Sequence, residues 1–70
     1  MPEGRYEFRV SGRLSERARG AFVGMDVVDV PAETVISGEV EDDRGLQDVL
    51  DLIQALGLTV VSVRRTTSPR

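Results

Sequence analysis

The 70-residue chain has no histidine, cysteine or tryptophan, no asparagine, and no lysine: its nine basic residues are all arginine. Together these absences remove most side chains that carry covalent, acid–base or metal chemistry near neutral pH. Without cysteine there is no disulfide and no thiolate site. With histidine also missing, a structural zinc has no ligand set. No apolar run approaches the roughly 18 residues of a membrane span. Met1-Pro2-Glu3-Gly4-Arg5 lacks the apolar core of a signal peptide. The net charge of −3 argues against a nucleic-acid partner, which wants a basic footprint. The expectation is a cytoplasmic, non-enzymatic chain with no cofactor and no metal.

What is present fits one domain. A chain this short buries only about 60% of its unfolded surface and is marginal alone. Small domains add disulfides, a metal or partner subunits. Only the partner subunits remain open here, so a homo-oligomer is expected.

Tyr6-Glu7-Phe8-Arg9-Val10 alternates apolar and charged residues, the period of a half-buried strand. Gly12 ends it, and Ser15 is placed to cap a helix. Leu14, Ala18, Ala21 and Phe22 share one helical face, with Gly20 weakening it and Gly24 as a stop. Met25–Val30 and Thr34–Val40 read as strands of a hairpin turning at Pro31-Ala32-Glu33. Asp42 suits an N-cap and Asp43 a first helical turn. Leu46, Val49, Leu50, Ile53 and Leu56 then form the clearest amphipathic stripe, widened by Leu52 and closed by Gly57. Leu58–Val63 reads as the last strand and Arg64 to Arg70 as a loose tail. The domain core is set at about residues 5–65, with 66–70 outside it.

The order β-α-β-β-α-β with two right-handed crossovers predicts a ferredoxin-like α+β fold. Its four-stranded antiparallel sheet has order 4-1-3-2, with both helices on one face.

Thr34-Val35-Ile36-Ser37-Gly38-Glu39-Val40, Leu46-Gln47-Asp48-Val49-Leu50 and Ile53-Gln54-Ala55-Leu56-Gly57-Leu58 resemble a family of small, largely uncharacterised actinobacterial proteins. Val63-Arg64-Arg65 is similar to that family's strand ending, and Phe22-Val23-Gly24-Met25 to its F-x-G-L turn. The likeness runs from about Tyr6 to Arg65. It implies small proteins encoded beside transport genes, some assembling into rings, and hence a membrane-transporter partner. Two positions depart from the pattern. Gln47 stands where histidine is common, so a site built on that histidine is missing. Glu39 replaces the usual proline before Val40.

Other motifs have plainer readings. Val10-Ser11-Gly12-Arg13 looks like the phosphate loop of an acylphosphatase, but the asparagine that positions water there is missing. A strand–turn–helix is the simpler reading, although a helix N-terminus attracts anions. Metal carriers of this topology need a cysteine pair in the first loop. Glu39, Glu41, Asp42 and Asp43 are acidic, but their spacing is not that of a calcium loop. Arg13, Arg17 and Arg19 form a small basic patch, read as solvated charges with local ion pairs. Gly24 and Gly38 admit close ligand approach but read first as turn or crowding residues. Tyr6 reads as a core aromatic with its hydroxyl at the surface.

The sheet face away from the helices carries the functional expectation. With Tyr6, Phe8 and Val10 inward, Glu7, Arg9 and Ser11 point outward. Ile36, Gly38 and Val40 inward leaves Val35 outward, beside Val28 and Val30. In the last strand Val61 and Val63 share one side and Leu58 and Val60 the other, all apolar, as in a strand covered on both faces. Arg9, Val28, Val30, Val35, Val61 and Val63 are therefore the expected oligomer interface. Contact runs through the open face, the last strand's edge, or both. The function expected is a homo-oligomeric accessory or scaffold protein associated with a membrane transport system. The alternative is a regulatory domain that binds a small molecule between subunits.

Overall fold

A computed structural model describes residues 4–66 of the chain. Met1 to Glu3 and most of the expected tail, residues 67–70, lie outside the described residues. The element order is β1 (Gly4–Ser11), α1 (Glu16–Gly20), β2 (Asp26–Val30), β3 (Glu33–Val40), α2 (Asp43–Ala55) and β4 (Val60–Arg65). The strands form one antiparallel sheet in the order β2-β3-β1-β4, the ferredoxin-like arrangement read from the pattern.

Alternation along β1 sends Tyr6, Phe8 and Val10 to one side, where all three are buried. Thr34, Ile36 and Val40 of β3 join them on that side. Leu14, Ala18 and Phe22 from the α1 region and Ile53 from α2 close over this face and complete the core. Both helices therefore cover one side of the sheet. Phe8, Ile36 and Ile53 are fully buried, and truncating any of them to alanine removes about 2–5 kcal/mol.

The two helices are unequal. Asp42 caps α2 by accepting from the Gly45 amide at 2.8 Å. At the other end the Gly57 amide donates to the Gln54 carbonyl and the Leu58 amide to the Ile53 carbonyl, with Gly57 at φ 76°. That is a Schellman closure, which needs a left-handed residue and so favours glycine. The first helix is one short turn of five residues, capped by Ser15, whose hydroxyl accepts from the Ala18 amide. It ends at Gly20 rather than running to Gly24, and Ala21, expected on the buried face, is exposed.

Other boundaries differ by a few residues. The first strand extends to Gly4 and Ser11, and the second starts at Asp26. The last strand starts at Val60, because Leu58 belongs to the helix closure. It also takes in Arg64 and Arg65, assigned to the tail by sequence, and the Thr66 amide still donates to the Arg5 carbonyl at 2.8 Å. Opposite β1, Arg9 faces Ser62 while Val10 faces Val60. Val61 is thus the extra residue of a β-bulge, which breaks the alternation read from sequence. Val60 and Val63 stand together on the helix side, opposite Val10 and Phe8, so the grouping of Val63 with Val61 is corrected.

Candidate interaction site on the open sheet face and its edges

Pairing across the sheet fixes which residues share the uncovered side. Val28 lies opposite Val35, Val35 opposite Arg9, and Arg9 opposite Ser62, so the four form one row across all strands. The expected cluster of Arg9, Val28 and Val35 is therefore brought together. Val30 lies on the same face opposite Glu33, one row away. Val61 is exposed at the bulge. Val63, at the edge of the helix side, is apart from the row.

Ion pairs frame the valines. Arg9 reaches Glu33 at 3.1 Å and Glu7 at 3.7 Å, and Arg64 reaches Glu7 at 3.5 Å. Arg5 spans to Asp26 at 3.4 Å. These are surface pairs, each contributing about 0–1 kcal/mol. Sequence reasoning placed Arg9 on this face but missed its partners. The signal was available: Glu7 and Arg9 are two apart on one strand, and Glu33 begins the strand paired with it.

The face carries a gradient of charge. The β2–β3 half holds Asp26, Glu33 and Glu39, while the β1–β4 half holds Arg5, Arg9 and Arg64 with one carboxylate, Glu7. Large apolar side chains exposed among the described residues are Val23, Val28, Val60, Val61 and Val63. All except Val23 lie on the two edge strands.

Other candidates resolve into structural roles. The Ser11 amide donates to the Thr59 carbonyl and the Gly12 amide to the Ala32 carbonyl. The Thr34 hydroxyl holds the Gly12 carbonyl at 2.8 Å. The loop that looks like a phosphate cradle is thus tied into its own sheet. Gly38 is a crowding residue, since a Cβ there would stand 3.0 Å from the Met25 side chain. From the basic patch, Arg19 pairs with Asp29. Its guanidinium holds the Asp29 carboxyl below the usual carboxylate range, against the opposing effect of burial.

A shallow concavity of about 330 Å³ sits at the start of α2, lined by Glu39, Glu41, Asp42, Arg44 and Asp48 among others. Asp42 is committed there to its cap. Among the described residues no group of three or more metal-ligating side chains converges. No helix among them is long and apolar enough to cross a membrane.

The fold and the surface together define a ferredoxin-like α+β module whose candidate site, among the described residues, is a sheet face and its two edge strands rather than a cleft. The chain belongs to the family described as domain of unknown function DUF8691, which matches residues 5–64. Neither a curated protein nor a solved structure matches it.

Proposed function

We propose that this chain is a non-enzymatic accessory or scaffold module that works as a homo-oligomer, closing into a ring and serving beside a membrane transport system. One observation carries the oligomer: Val28, Val60, Val61 and Val63 are exposed on the two edge strands of a sheet with one uncovered face. Apolar side chains gathered at free edges mark contact surfaces more often than scattered ones do. The small core adds a reason for association, because a 70-residue chain has few other means of gaining stability. The transport setting and the ring rest on the sequence likeness between Tyr6 and Arg65 alone.

Light scattering at micromolar concentration tests the reading. The expected result is a mass of two or more chains, reduced to a single chain by Val28→Asp with helical circular dichroism retained. A parent protein that stays a single chain overturns it.

A further inference from the structure

We infer that copies of this chain join edge to edge, the free side of β4 in one copy pairing antiparallel with the free side of β2 in the next. The inference rests on the homo-oligomer reading and specifies which surfaces meet.

Strand direction permits the join. Neighbours in β2-β3-β1-β4 are all antiparallel. β4 therefore runs opposite to β2, and setting it beside the β2 of a like-oriented copy continues the alternation. Backbone donors and acceptors left open on each edge then find partners.

Charge selects this join over the others. The sequence of β2, Asp26-Val27-Val28-Asp29-Val30, carries acidic charge only, and that of β4, Val60-Val61-Ser62-Val63-Arg64-Arg65, basic charge only. Pairing β2 with β2, or β4 with β4, sets like charges across from each other, which is destabilising. Pairing β4 with β2 sets opposite charges together. Asp26, which guards the edge against its own kind, makes it complementary to the other edge, while Asp29 is already held by Arg19.

Facing limits the register to steps of two residues, because residues of the open face must lie opposite residues of the open face, and charge chooses among those steps. Asp26 and Arg64 both lie there, with side chains 75% and 65% exposed and only long contacts of 3.4 and 3.5 Å to Arg5 and Glu7. Placing Arg64 opposite Asp26 of the next copy brings Ser62 opposite its Val28, and covers the exposed valines of both edges. Such a contact is heterologous, so it closes into a ring or extends as a filament.

The cysteine-free chain allows a direct test. Directly opposed residues of antiparallel strands stand about 4.5–5.5 Å apart at Cα, within the span of a disulfide. Val28→Cys and Ser62→Cys are introduced together in the full chain and oxidised mildly. A non-reducing denaturing gel should then show a ladder of three chains and more, which neither single variant gives. Cross-linking that stops at two chains means a face-to-face pair and overturns the edge join. No cross-link from an assembly that light scattering still detects also overturns it and leaves self-association standing; a single-chain mass for the parent protein removes both. Charge reversal is the second arm. Asp26→Arg and Arg64→Asp should each weaken association about tenfold or more, and the two together in one chain should restore it. Association unchanged by either reversal refutes the register.

Discussion

Asp29 shows how a single side chain ties the smallest element to the sheet. It extends from an edge strand to the Arg19 guanidinium on α1, while the buried Thr34 hydroxyl stands beside it at 3.5 Å. The hydrogen bond from Arg19 is the largest influence lowering its pKa; burial opposes it, and the charges of Arg19 and Arg13 and the Thr34 hydroxyl add to the lowering. A carboxyl held below its unfolded value stabilises the fold above that value. The contribution is lost as pH falls below about 4 and through the folded value. Asp29→Asn should therefore lower the urea midpoint at neutral pH, and its gap to the parent protein should close as pH is taken down to about 2. A gap that persists unchanged in acid would assign the loss to packing instead. Sequence reasoning grouped Arg19 with Arg13 and Arg17 as a patch. Its true partner is ten residues away, across a turn whose path no local pattern specifies.

At the scale of elements, legibility followed the length of the repeating signal. In α2 the apolar stripe runs over 13 residues with a cap at each end, so its existence, face and stop were all readable. α1 offered five residues and a glycine, and the spacing that suggested a longer helix belonged partly to the turn after it. Gly20 closes that helix with open space around its Cα, so Gly20→Ala should raise stability by about 0.5–1 kcal/mol in a denaturant titration. The strands were readable from alternation except where alternation fails. Val61 is an inserted residue, and one insertion moves Val63 from the face shared with Val61 to the face shared with Val60. Val60-Val61-Ser62-Val63 contains no mark of such a bulge, because apolar residues fall on both faces of the strand. Val28, Val35 and Arg9 were legible as a row because β1 and β3 pair without a shift over eight residues each.

The whole molecule is an asymmetric slab, helices on one side and paired charges on the other, with acidic and basic ends. Self-association of such a body couples folding to concentration. If the assembled form is the stable one, Tm should rise with protein concentration between about 1 and 100 μM, and the rise should vanish in Val28→Asp. A constant midpoint would show that the lone subunit carries its own stability. Tyr6 provides the readout. It is the only tyrosine in a chain without tryptophan, and it is buried on the central strand with its ring centroid 6.3 Å from that of Phe8. Ultraviolet emission excited in the tyrosine band, beyond the absorption of Phe8 and Phe22, therefore originates from one known position at the heart of the sheet. Loss of the packed interior can be followed by fluorescence with no label attached and no second emitter to subtract.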